Sequence, residues 1–323
     1  MESTADLDLG AAVAPQTAAV SIEITSTPVL SYALAHNGIP VIPRLALTSA
    51  TTVRAATVRL AVRDAEGPIA RPVELLADLD AGRTTVLTDV GLVMDPAAML
   101  QVEEQRPGVI DVEVWVDVEG EDGPVFAGEA SRSVQVLAAN QWLASPLPLA
   151  LEMLAAHVMP NHPAVTALVA EAAERLETTT GSGALVGYAA TAERVDEVVA
   201  AIAGTLRDRG LRYSEPPATW SDVGQQVRSP GEVLTWKVGT PLDLVVLLAA
   251  ALEQAGIRPL LWLAEGHAFL GYWREERSAE SAATTDAAGL VNLVDLGLVG
   301  LVETTLLTAD EPGADLHRPA YDG

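Results

Sequence analysis

"KVGTPLDLVVLLAAALEQAGIRPLLWLAEGHAFLGYW" (Lys237–Trp273) reads as a glycine turn, a helix, a strand, and a histidine opening a second strand. Gly239 permits a tight entry. Thr240 is an N-cap residue, and Asp243 stands three positions on, where a capping box usually carries Glu. Pro241 occupies the first helical position, where a missing N–H costs nothing. The pattern predicts a helix over about Pro241–Gln254 and strands over Arg258–Ala264 and His267–Trp273. These four residues, "TPLD", thus have a complete structural explanation. A helix N-terminus also carries orphan N–H groups and a positive dipole end, which activate a nucleophile or stabilise an oxyanion. His267 and Glu303 have the order and spacing of a base and the carboxylate that orients it. The position after Gly-Thr is Pro241, however, and the chain contains no cysteine.

Downstream, "EERSAESAATTDAAG" (275–289) is rich in Ser, Ala and Thr and is expected to form an exposed loop. "LVNLVDL" and "GLVETTLLT" read as closing strands. Upstream, beyond "ANQWLASPLP", the hydrophobic period is 3.6. "LALEMLAAHVM", "HPAVTALVAEAAERL" and "TAERVDEVVAAIAGTLRDRG" are amphipathic helices, the last begun by Thr191 and ended by Gly210. "YSEPPATWSDVGQQVRSPGEVL" is an extended, Pro-punctuated segment leading into a short helix over Pro230–Trp236. Helices followed by strands indicate an α+β domain over residues 140–310.

Residues 18–139 have period two. In "IDVEVWVDVE", Ile110, Val112, Val114, Val116 and Val118 form one face, opposed by Asp111, Glu113, Trp115, Asp117 and Glu119. "TVRLAVRD" alternates in the same way. About seven such runs between Gly, Pro and Asp turns predict an immunoglobulin-like β-sandwich. Only "DPAAML" reads as a helical turn, and His36 is assigned to the "AHNG" turn. Residues 1–17 and 311–323 read as tails, the second as a tail or linker.

The charge of −25, from 19 basic and 44 acidic residues, opposes direct nucleic-acid or anionic-membrane contact. Without cysteine there is no disulfide, thiolate metal site or cysteine catalysis. The acidic start "MESTADLDLG" is unlike a signal peptide, and the apolar run Leu244–Leu252 is too short to span a bilayer. The expectation is therefore a cytoplasmic protein. His157 and His162 flank a helix–helix turn and His317 lies in the tail. No histidine pair has metal-ligand spacing, and no glycine loop suits a phosphate, so neither a metal nor a cofactor is expected.

The segment from Tyr213 to Trp273, with "VMPNHPAV" and "GYAATAERV" before it, resembles the transglutaminase-like module at the front of large bacterial superfamily 1 helicase–nuclease proteins. That module is usually labelled a domain of unknown function, and the resemblance covers roughly residues 140–310. It implies a transglutaminase-like, papain-like α+β fold with a triad of Cys, His and Asp or a relative of Asp. Carried over, the nucleophile falls on Pro241, the base on His267 and the acid on Glu303. Gln225 in "GQQVR" falls near an oxyanion position, and Gln225 and Trp236 are candidate binding residues. Thr240 is the neighbouring hydroxyl, but a capping hydroxyl already points at helix amides. The resemblance implies a catalytically inactive binding or assembly module with a protein or peptide partner. A helicase or nuclease domain in cis or in trans would be such a partner, in DNA repair or defence. Two alternatives stay open: an active hydrolase or acyltransferase using Thr240, His267 and Glu303, and a purely structural module.

Overall fold

A computed structural model describes residues 19–143, 147–214, 224–264 and 267–308. The expected tails, His317 and the middle of the Pro-punctuated segment lie outside the described residues. The chain divides into two compact units, Met1–Ala138 and Ala139–Gly323.

The first unit is β-rich. Its strands are β1 (Val20–Thr25), β2 (Val29–Leu30), β3 (Arg44–Ser49), β4 (Val53–Asp64), β5 (Val73–Leu79), β6 (Thr84–Leu87), β7 (Arg106–Val116) and β8 (Val125–Val136). They form a three-stranded sheet ordered β1-β3-β6 and a five-stranded sheet ordered β2-β8-β7-β4-β5. Alternation decides the inner face: Val58, Leu60, Val62, Ile110, Val112 and Val114 are buried in one core with Leu45 and Leu47 of the smaller sheet. Each such side chain contributes about 1.5–3 kcal/mol through its burial. Two short helices interrupt the strands, α1 (Tyr32–His36) and α2 (Pro96–Met99). The helical turn at Asp95 is thus present. The "AHNG" reading needs correction, because His36 ends a helix rather than sitting in a turn. Ser31 is the cause: its hydroxyl accepts from Leu34 N and caps a five-residue helix too short to show a period.

The second unit is α+β. Its helices are α3 (Leu147–Leu154), α4 (Pro163–Thr180), α5 (Ala192–Asp208), α6 (Pro230–Trp236), α7 (Pro241–Gln254) and α8 (Ala287–Asp295). Its strands are β9 (Gln141–Trp142), β10 (Arg212–Tyr213), β11 (Gln225–Gln226), β12 (Val238–Gly239), β13 (Pro259–Ala264), β14 (His267–Trp273) and β15 (Val299–Val302). The main sheet is antiparallel, ordered β13-β14-β15. Every residue of α7 from Pro241 to Leu252 is buried, which explains its all-apolar run: it is the unit's central helix rather than an amphipathic one. Helices α4, α5 and α6 and the strands β13 and β14 pack around it.

The reading of "LVNLVDL" as a strand is overturned. This segment lies in α8, capped by Asp286, whose carboxylate accepts from Gly289 N. Leu290, Leu293 and Val294 fall at helical spacing, and the short apolar run hid that period. "GLVETTLLT" divides into β15 and a 3₁₀ turn over Thr304–Thr308. Among the described residues, no helix is long and apolar enough to cross a membrane.

Candidate functional site

The start of α7 is tightly tied. Thr240 Oγ1 accepts from Asp243 N at 3.2 Å, and Asp243 Oδ2 accepts from Thr240 N at 2.9 Å, completing a capping box with Asp. Asp243 is fully buried and also accepts from Arg228 N and the Arg228 guanidinium, both at 2.7 Å. This buried charge is therefore paired and given three N–H donors. Thr240 is 3% exposed and Pro241 is buried, so no free side-chain nucleophile stands at this helix end.

Helix α7 is about 21 Å long and β13 about 20 Å, and only four residues join them. Strand β13 packs on α7, so it runs back toward the helix start. Strand β14 pairs antiparallel with β13, and His267, its first residue, lies opposite Ala264, the last residue of β13. Within β14, Ala268, Leu270 and Tyr272 belong to the core around α7. Alternation turns His267, Phe269 and Gly271 to the other face. Leu270 pairs with Val302, which sets Glu303 across from Phe269 on the face that His267 occupies.

There, His267 Nε2 and Glu303 Oε2 are 2.8 Å apart. The other oxygen, Oε1, accepts from Thr305 N at 2.9 Å and Thr305 Oγ1 at 2.8 Å, so the carboxylate is held from both sides. The His267 ring lies 6.0 Å from Phe269 in a stacked arrangement, and Phe269 lies 5.3 Å from Trp262. Gly271 is required here: a Cβ on it would sit 2.5 Å from Trp262 Nε1. The His267 side chain is 35% exposed. In the tautomer whose Nε2–H donates to Glu303, Nδ1 keeps a lone pair that can accept a hydrogen bond.

The structure thus joins His267 to Glu303 and commits Thr240 to Asp243. No hydrogen bond between described residues links the two sets. Gln225 is 5% exposed in β11, and both polar atoms of its amide are buried without a partner among the described residues. It lies three residues from Arg228, at most about 10 Å along the chain from the group that grips Asp243. Trp236 ends α6 and is 56% exposed.

Sequence reasoning missed a second polar cluster. Arg274 Nε and Nη2 donate to both oxygens of Asp196 at 2.6–3.1 Å, and Tyr272 Oη donates to Asp196 Oδ1 at 2.8 Å. Burial, then the charge of Asp196, pushes the Tyr272 hydroxyl far above its usual range. Asp196 lies on α5, Tyr272 on β14 and Arg274 just after that strand, 76–78 positions from Asp196, so no local pattern could have shown them. His157 is likewise buried; burial lowers it from its usual 6.5 to about 4, and its Nε2 has no partner among the described residues. Among the described residues, no group of three or more His, Asp or Glu side chains is placed to hold a metal ion.

No protein-family model matches this chain, and no curated protein matches it. Among solved structures, it is similar to a family 76 glycoside hydrolase from a bovine Bacteroides thetaiotaomicron strain at 9% identity and a TM-score of 0.19. The match covers 73% of this chain and 48% of the hydrolase, so the chain spans about half of that protein's length. A TM-score so low carries no argument about fold or function.

Proposed function

We propose that the second unit is a transglutaminase-like, papain-like scaffold without its nucleophile, serving as a binding or assembly module for a protein or peptide partner. The first unit is then an immunoglobulin-like β-sandwich fused to it. The observation that carries this reading is the order α7, β13, β14, β15. His267 opens the middle strand and Glu303 follows the third, while the residue that opens the helix is Pro241. The face beside His267 keeps an oriented imidazole and two aromatic rings, which suit contact with an extended peptide. The resemblance implies such a partner in a bacterial helicase–nuclease system of repair or defence. The charge of −25 assigns any phosphate contact to other regions. Acyl transfer by Thr240 is disfavoured because its hydroxyl is buried and already accepts from Asp243 N.

A cysteine-free chain makes the test direct. The Pro241→Cys variant carries a single thiol. If the position is a vestigial nucleophile site, iodoacetamide alkylates that thiol about tenfold faster than in Pro241→Cys/His267→Ala near neutral pH, because a nearby imidazole favours the thiolate. Equal rates overturn the site assignment. The wild-type chain is expected to leave peptide amides and amine acceptors unchanged. Turnover that His267→Ala abolishes overturns the inactive reading, and acyl-probe labelling of Thr240 restores the rival one.

A further inference from the structure

The outer face of the five-stranded sheet carries two unlike rows. Strand register aligns Phe126, Trp115, Thr57 and Leu76 straight across β8, β7, β4 and β5. Leu76 is 67% exposed and Phe126 43%. The Trp115 and Phe126 rings meet edge to face at 5.4 Å, and Arg59 covers the Trp115 ring at 5.4 Å. The next row is Glu129, Glu113, Arg59 and Glu74. Arg59 is taken by Glu74 at 2.8 Å. Beyond it, Arg63 is taken by Asp111, also at 2.8 Å. That leaves Glu113 and Glu129 directly opposite one another. Like charges in this position disfavour the sheet. Among the described residues Glu113 accepts one side-chain hydrogen bond, from the neutral Trp115 Nε1–H at 3.1 Å, and Arg59, which faces it from β4, is bonded to Glu74. A groove of about 470 Å³, lined by Arg59, Glu74, Asp111 and Glu113, adjoins the rows.

We infer that this face docks a basic, extended segment of another protein, in which every second residue meets the sheet and these are cationic and apolar by turns. The argument is charge complementarity on an apolar platform. A lysine or arginine placed between Glu113 and Glu129 relieves the repulsion, while the apolar residue two positions on covers Trp115 and Phe126 in the next row. Alternation at strand spacing, about 6.6 Å from one side chain to the next on the same face, matches the step between such contacts. Nucleic acid and anionic membrane are opposed by the same carboxylates. The inference concerns the first unit and is independent of the proposal for His267.

The test titrates the full chain with a short synthetic peptide of repeat Lys-Ser-Leu-Ser, which puts lysine and leucine by turns on one face of a strand, at physiological salt, by calorimetry. The wild type is expected to bind it saturably. Glu113→Gln/Glu129→Gln is expected to weaken binding about tenfold while melting no lower than wild type, since a repulsion has been removed. Glu103→Gln/Glu104→Gln makes the same charge change on exposed residues away from the rows and is expected to bind like wild type. Phe126→Ser removes a partly exposed apolar contact beside the pair and is expected to weaken binding. Equal weakening in the two charge variants reduces the effect to net charge and overturns the inference. So does an absence of binding, or unchanged affinity in Glu113→Gln/Glu129→Gln.

Discussion

His267 and Glu303 are 36 positions apart in the chain and 2.8 Å apart in space, on one face of the β13-β14-β15 sheet. Glu303 serves more donors than His267, because Thr305 gives it two more hydrogen bonds. Glu303→Ala is therefore expected to cost about 1–3 kcal/mol, and His267→Ala less, since the carboxylate keeps Thr305 and some solvent. Urea denaturation of the two variants checks the order.

At the start of α7 the ranking is steeper. Asp243→Ala strips the Arg228 guanidinium of its buried partner and leaves two backbone N–H groups unpaired. The expected loss is about 3–5 kcal/mol, the cost of breaking a buried pair by removing one member. Thr240→Ala loses one capping bond and is expected to cost about 1 kcal/mol, while Thr240→Ser keeps the bond and stays near wild type. Thermal melts distinguish the three.

His157 makes the second unit acid-labile. Its folded-state value is about 4 against 6.5 when solvated, with burial as the cause. Above pH 6.5 the ring is neutral in both states and contributes nothing to pH dependence. Between 6.5 and 4 only the unfolded chain takes up the proton, so stability falls as the pH falls through that window. By pH 5 the loss is about 2 kcal/mol. Urea midpoints at pH 7 and pH 5 should move less in His157→Gln than in wild type.

Gly300 pairs with Tyr272 across β14 and β15, and a Cβ on it would lie 2.3 Å from Tyr272 Cζ. Gly300→Ala is expected to displace the Tyr272 ring from Asp196 and cost about 1–3 kcal/mol through overpacking. Tyr272→Phe loses only the bond to Asp196, which keeps Arg274, and is expected to cost about 1 kcal/mol. Differential scanning calorimetry of both variants tests the order.

Some of this was legible before folding. The alternation in "IDVEVWVDVE" identifies the buried face of β7, and Thr240, Pro241 and Asp243 mark the start of α7, because caps and strand faces depend on neighbours within a few residues. The same locality misled where signals were short. "LVNLVDL" is apolar enough for either element, and the Asp286 cap that decides for a helix lies several residues ahead of it. For α1, five residues give too little length for any period.

The amino-acid order alone determined the buried face of β7, the opening of α7 by a proline, the acidic balance and the absence of any thiol. Only the folded chain decided that Glu303 meets His267, that Asp243 holds Arg228, that Asp196, Tyr272 and Arg274 converge, and that Trp115, Phe126 and Leu76 share an open row. The reason is physical: periodicity and capping act across a few residues, whereas these encounters join distant parts of the chain that meet only once sheet register and core packing have set their places.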